Sequence, residues 1–383
     1  MRTILVLRPG ALGDALLTLP LVEALLAQGT ERVILLGTPA SWRFLRHTSA
    51  LEIRDLGARD WLGLFAQDQT LPSRARALLA EIDDALVLLG KGRTGVAAAL
   101  RAAGVGRVAG AAPAALGAWA PEIDPRIQES ERHPHPNPPS RGRGKLLGVQ
   151  TFFPPPLRRR VGRGVEASPM SFLARWPPAP AHAARRLMTA LAALDDGADV
   201  AWPGTPQALA EHPLLRLEPR EIEQALRALN LAAPPPRGIL ALHPGSGGAA
   251  KCWPAKRFAG LATAAARHWG VLPVFLVGPA DALAWHQVQE ALPSALATAA
   301  LVERPLREVL ALLSLARAYV GNDSGISHLA GRACPTLALF GPSDPRVWHP
   351  LGHRVALLAA AGGDLTRLAV ADVLAALERL LAT

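Results

Sequence analysis

Cysteine is almost missing from this 383-residue chain: Cys252 and Cys334 are the only two, and they lie far apart. That excludes a disulfide framework and a cysteine-based zinc site. Long apolar runs are missing too. Half of the residues are hydrophobic, yet Pro, Gly or charge breaks every stretch before the roughly 18 uninterrupted positions that a membrane helix needs. A soluble protein is expected. The opening "MRTILVLRPGALGDALLTLPLVEALLA" is interrupted by Arg8, Pro9 and Asp14 and is followed by no small-residue cleavage site, which excludes a signal peptide and points to the cytoplasm. Its turn is not the GxGxxG fingerprint of a dinucleotide fold, and this weakens a nicotinamide-dependent oxidoreductase.

Positive charge is abundant: the formal net charge is +10. Six of those charges come from residues 126–168, which hold nine Lys/Arg against three Glu, together with seven Pro and five Gly. The segment has neither helical nor strand periodicity and reads as a disordered insertion. A basic arm for nucleic acid or anionic lipid is the alternative. The segment nearly lacks the interleaved aromatics of a stacking platform, so no nucleic-acid partner is expected.

Elsewhere one pattern recurs, an apolar run, a turn rich in Gly, Pro or Asp, then a periodic helix, and it implies parallel sheets with crossover helices. In the first half the runs are "TILVLR" (Thr3 to Arg8), "RVILLG" (Arg32 to Gly37) and "DALVLLG" (Asp84 to Gly90), with "GRVAGAA" as a weaker fourth. The pattern restarts at "GILALHPGSG" and continues through "LPVFLVG", "ATAALVE", "ARAYVGN" and "TLALFG". A length of 383 residues exceeds one compact core, and two restarts give an α/β chain of two doubly wound, Rossmann-like domains. The expected division is residues 1–200, carrying the 126–168 insertion, then 201–365, then a terminal helix over 366–383.

Ligands of such sheets bind at the carboxyl ends of the strands, and two domains offer the cleft between them. In "LRPGALGDALLTLP", Gly10 and Gly13 allow close backbone approach, and Asp14 is either a helix cap or a general base. "HPGSGGAAKCWP" offers Ser246 and Lys251 beside a helix start, an arrangement suited to an anion or to an ordinary turn with a solvated lysine. In "NDSGISHLAGRA", Asp323, Ser324, Gly325 and His328 surround another helix start, where they serve as cap residues or as phosphate donors. Gly278 and Asp281 are further ligand-loop candidates, and Lys91 and Arg93 are candidates for an acidic acceptor or are solvated charges.

Taken in order, "GALGDALLTLP", "HPGSGGAAKCWP" and "NDSGISHLAGRACPTLALFGPSDP" resemble glycosyltransferase family 9, the ADP-heptose:lipopolysaccharide heptosyltransferases. The resemblance covers nearly the whole chain apart from 126–168. It implies a glycosyltransferase-B fold: an N-terminal acceptor domain facing a C-terminal nucleotide-sugar domain, with the terminal helix returning toward the N-terminal one. It implies that Asp14 is the catalytic base, Lys251 a phosphate ligand, and the Asp323-Ser324-Gly325 turn with His328 the diphosphate cradle. No metal or other cofactor is expected, and no DxD motif is present. The implied partners are an ADP-sugar and a lipopolysaccharide or lipid A core acceptor at the cytoplasmic face of the inner membrane. A transferase or epimerase for another sugar nucleotide is the alternative. The chain departs from the family pattern at Leu17, where His is frequent, and at Ala249, Ala250 and Cys252 around Lys251.

Overall fold

The computed structural model describes residues 2–66, 70–89, 93–110, 170–173, 178, 182–194, 202 and 207–382. The 126–168 insertion and Lys91 lie outside them. The described strands form two sheets.

The first sheet has the order β3-β2-β1-β4-β5. Its strands are β1 (Thr3–Arg8), β2 (Arg32–Gly37), β3 (Leu51–Asp55), β4 (Asp84–Val87) and β5 (Arg107–Ala109). All its pairings are parallel. Ile4, Leu5, Val6 and Leu7 of β1 are wholly buried, as expected of a central strand covered by helices on both faces. Those helices are α1 (Leu12–Ala27), α2 (Pro39–Trp42), α3 (Ser73–Leu79) and α4 (Arg93–Ala102).

The second sheet has the order β6-β12-β11-β10-β7-β8-β9. It is built from β6 (Met170–Leu173), β7 (Ile239–His243), β8 (Leu272–Val277), β9 (Ala299–Val302), β10 (Ala316–Asn322), β11 (Thr336–Phe340) and β12 (Val355–Ala359). Only β6 runs antiparallel, at the edge. Between the sheets in sequence come α5 (Ala183–Ala192) and α6 (Pro219–Ala228). The second sheet carries α7 (Ala255–Trp269), α8 (Ala282–Ala291), α9 (Leu306–Leu315), α10 (Gly325–Gly331), α11 (Pro345–Trp348) and α12 (Val370–Ala382). Gly270 ends α7 in the left-handed region, φ +68°, the conformation in which glycine closes a helix at no steric cost.

Strand order reverses between β1 and β4 in one sheet and between β7 and β10 in the other. Crevices at such reversals are where doubly wound sheets take ligands. One continuous apolar core joins the two sheets: Ile4, Val6 and Leu19 share it with Leu191, Leu214, Leu215, Ile239, Ala241 and Leu310.

Two expectations about the domains need correction. Residues 1–200 do not all keep to the first sheet: β6 at 170–173 pairs with β12 of the second sheet, whereas α5 beyond it packs on α1 of the first. The terminal helix does not return toward the first sheet. Val373, Ala376, Leu377 and Leu380 of α12 are buried in the same core as Phe258, Leu261 and Ala262 of α7. Arg354 donates to the Leu380 carbonyl at 2.7 Å, and His268 meets Glu378 at 3.1 Å. Helical spacing shows that a stripe must be buried; it does not say against what.

Candidate active site

The β1–α1 turn begins with Arg8, the one charged residue of a buried strand. Its Nη2 donates to Asp14 Oδ1 at 2.6 Å, and its Nη1 donates to the Leu88 carbonyl at 3.2 Å. The second contact crosses the β1/β4 reversal. Asp14 sits in the first turn of α1, where Oδ2 accepts from the Ala11 amide at 3.0 Å. This satisfies one of the donors a helix start leaves open, and the carboxylate also complements the positive end of the helix. Gly10 has φ +138°, and a Cβ there would lie 2.5 Å from Asp14 Oδ2, so glycine is required for this approach. With its side chain 37% exposed, Asp14 is both a capping residue and a carboxylate open to solvent.

From the second sheet, the turn after β7 and the turn after β10 are tied together. Asn322 is fully buried; its Nδ2 donates to the Pro244 and Gly245 carbonyls at 2.9 and 3.2 Å, and its Oδ1 accepts from the Trp253 amide at 2.9 Å. Ser246 Oγ donates to the Asp323 carbonyl at 2.7 Å. Lys251 Nζ donates to Asp323 Oδ2 at 2.9 Å. The ammonium has three donors, and with the side chain 42% exposed two remain free to meet an anion.

Ser324 caps α10, its Oγ accepting from the Ser327 amide at 3.4 Å. The same hydroxyl meets His243 Nδ1 at 3.2 Å. His243 Nε2 meets Asp281 Oδ2 at 3.0 Å, and that oxygen also accepts from the Gly278 amide at 2.7 Å. Asp281 is therefore a buried support that orients His243. Burial pushes its pKa up, but the His243 contact and the Gly278 amide outweigh burial and hold it below the usual carboxylate value. Gly245 fits this support closely, since a Cβ would fall 1.8 Å from Asp281 Oδ1.

His328 is buried, and burial is the main cause that lowers its pKa to about 4; His349 also lowers it, against Asp323 and Asp14, which raise it. At neutral pH it is a neutral imidazole, a hydrogen-bonding group rather than a charge. Across the cleft it meets the first sheet. A Cβ on Gly13 would lie 3.7 Å from His328 Cδ2, and a Cβ on Gly325 would lie 3.0 Å from the Gly13 amide nitrogen and 2.8 Å from Leu12 Cβ. The two glycines let the starts of α1 and α10 touch.

Asp14, Gly13, Ser324, Gly325 and His328 are thus brought to one place, with Lys251 and Ser246 bonded to Asp323 beside them. Arg93 lies beside the ends of β4 and β5, its Cδ 2.8 Å from where a Gly110 Cβ would be and that Cβ 2.7 Å from the Val87 carbonyl. The spacing-based reading missed Arg8, His243 and Asn322. Each is a polar residue ending an apolar strand, and that position was the available signal. A cavity of about 820 Å³ lies elsewhere, lined by Arg43, Arg46, Glu218, Glu221 and Arg307 among others; none of the candidate residues lines it. Among the described residues, no group of three or more His, Cys, Asp or Glu side chains is placed to hold a metal ion. Nor is any described helix long and apolar enough to cross a membrane.

Residues 181–369 match the family model described as glycosyltransferase family 9 (heptosyltransferase). The chain is 29% identical over 168 residues to lipooligosaccharide heptosyltransferase 2 of Haemophilus influenzae, covering 42% of this chain and 48% of that protein. It is 30% identical over 158 residues to lipopolysaccharide heptosyltransferase 2 of Salmonella typhimurium, covering 39% and 45%. The chain thus matches about half the length of these curated relatives. Its fold is similar to that of the solved E. coli ADP-heptose lps heptosyltransferase II, with a TM-score of 0.64, 21% identity, and coverage of 100% of this chain and 99% of that one. Two Rossmann-like sheets with facing strand ends are the glycosyltransferase-B fold.

Proposed function

We propose that this chain, whose residues 181–369 match the glycosyltransferase family 9 model, is an inverting, metal-independent transferase that moves a heptose from ADP-heptose to a lipopolysaccharide core acceptor. The observation that carries this reading is the contact between the Gly13-Asp14 turn and the Ser324-Gly325 turn. It sets a carboxylate from one sheet beside the amides that open α10 of the other, and this supports an anion site there.

In this mechanism the acceptor hydroxyl oxygen attacks the anomeric carbon while its proton passes to Asp14. The bond from that carbon to the diphosphate oxygen breaks, and ADP leaves with the electron pair. Lys251, the Ser324-Gly325 amides and neutral His328 stabilise the departing charge, and Ser246 holds the Asp323 turn in place. Lys251 supplies the positive charge that a metal provides in other transferases, and this supports a metal-independent step. Arg8 holds the Asp14 carboxylate in place. Lys91 and Arg93 are proposed as ligands of the acceptor, which would be met at the cytoplasmic surface of the inner membrane.

A calorimetric screen of ADP, UDP and GDP tests the donor assignment, followed by a transfer assay with ADP-heptose and a heptose-less core acceptor. The reading expects ADP to bind more tightly than UDP or GDP, and heptose to appear on the acceptor with chelator present. Preference for UDP or GDP would replace it with a transferase or epimerase for another sugar nucleotide.

A further inference from the structure

Helix α1 carries Asp14 near its start, and α10 carries the diphosphate turn at its start; the two helices pack on one another. Their near ends meet at Leu12, Gly13 and Gly325. Leu12 and Glu23 are about three helical turns apart, and Gly325 and Arg332 about two, so each pair shares one helix face. At the far end, Arg332 Nη2 donates to Glu23 Oε1. Between the two contacts, Leu16, Leu19, Leu329 and Ala330 lie in one buried core. The helices therefore run side by side and parallel, joined at both ends.

His212, from the segment linking the sheets, completes the far joint. The Leu214 amide donates to His212 Nδ1 at 3.2 Å, which leaves Nε2 as the donor to Glu23 Oε1 at 2.7 Å. His212 is buried and the other two side chains are largely covered: 16% exposed for Glu23, 5% for Arg332 and 3% for His212. Burial opposes ionised Glu23, but Arg332 and His212 outweigh it and hold the carboxyl below the usual value. A buried charge cluster of this kind is poor value as stability alone, because its desolvation offsets much of the attraction. What it supplies is geometry.

We propose that Glu23, Arg332 and His212 are positioning residues: they set the angle between α1 and α10, and hence the approach of Asp14 to the diphosphate turn. The proposal rests on the role given to Asp14 above. Displacing a reacting group by about 1 Å can cost about a hundredfold in rate, and α1 is a lever about 16 Å long from Leu12 to Glu23.

The test compares Glu23→Gln, Arg332→Gln, Arg332→Lys and the double Gln variant. Expected are a loss of about tenfold or more in kcat for each Gln variant, ADP affinity by calorimetry within about twofold of the parent, partial recovery in Arg332→Lys, and a double variant no worse than the worse single one. Glu23→Gln keeps the side-chain shape and carries the test if Arg332→Gln does not fold. Hydrogen exchange supplies a readout that does not need turnover: Glu23→Gln should speed exchange in Ala11–Ala15 and Gly325–His328 together, at the other end of the helix pair. Unchanged kcat, additive losses, an equal loss of ADP affinity, or faster exchange confined to the neighbourhood of residues 23 and 332 would each overturn the proposal. If the parent protein transfers no heptose, the functional reading falls by itself and the exchange result still decides whether this joint governs the site.

Discussion

Asn322 shows how much a single buried amide organises. It occupies three partners at once, the Pro244 and Gly245 carbonyls and the Trp253 amide, and so fixes the turn after β7 to the end of β10. Asn322→Ala leaves all three unpaired in a dry place. Each orphaned group costs about 1–3 kcal/mol, so a loss of at least about 3 kcal/mol in urea unfolding is expected, and a loss under about 0.5 kcal/mol would refute this account of the turn. Lys251 is a contrasting residue. Its ammonium is half exposed and already bonded to Asp323, and its stability contribution is correspondingly small. Lys251→Ala should leave the midpoint of unfolding nearly unchanged while weakening ADP roughly ten- to hundredfold, the scale of one hydrogen bond to a charged group. Equal ADP affinity in calorimetry would take Lys251 out of the phosphate site. The sequence exposed Lys251 and Ser246 through a glycine-rich loop at a strand end. Asn322 and His243 border such loops but gave no sign of being joined; the register that sets Gly321 opposite His243 brings their strand ends together.

At the scale of elements, legibility followed burial. β1 and β2 fall on the expected limits because a strand covered on both faces is a continuous apolar run. The edge strand β3, "LEIRD", is short and mixed, and β12, "VALLA", opens an alanine-rich stretch that suits a helix equally well. Both escaped a reading by periodicity. The three glycine-rich strand ends stood out as candidates because close backbone approach and polar side chains coincide there; which of them touch was not legible, since contact between α1 and α10 depends on how two sheets meet.

One element-level device concerns pH. His182 caps α5, accepting from the Ala184 amide through Nδ1, and its Nε2 therefore donates to the His349 carbonyl at 2.9 Å. The two rings lie 4.3 Å apart. Burial is the leading cause that depresses His182 to about 2 and His328 to about 4, and it also lowers His349. In the unfolded chain these rings take up protons near pH 6.5. Below that value the unfolded state binds more protons than the folded one, so the stability they provide is present above about pH 6.5 and drains away as pH falls toward 4. The melting temperature should drop between pH 7 and 5, and His182→Asn, which can still cap the helix, should flatten that slope. A melting temperature that is level over this range would contradict the assignment of neutral, buried imidazoles.

On the scale of the whole molecule, the two sheets are not loosely tethered modules. A continuous core and the segment bearing His212, Leu214 and Leu215 run between them. Arg307 reaches across as well, donating to Glu221 at 2.6 Å, to the Arg216 carbonyl at 2.9 Å and to the Phe44 carbonyl at 3.3 Å. Such an interface keeps the proposed base and the proposed phosphate turn in register, and the proposed chemistry depends on that register. The central claim is that Asp14, from the first sheet, takes the acceptor's proton while the second sheet alone holds the nucleotide. It is tested most directly by measuring Asp14→Ala in two assays, heptose transfer from ADP-heptose and ADP binding by calorimetry. The account predicts a loss of transfer of at least about a hundredfold, the lower range for a general base, with ADP affinity nearly intact. Retained turnover, or a loss of ADP affinity matching the loss of transfer, would contradict it.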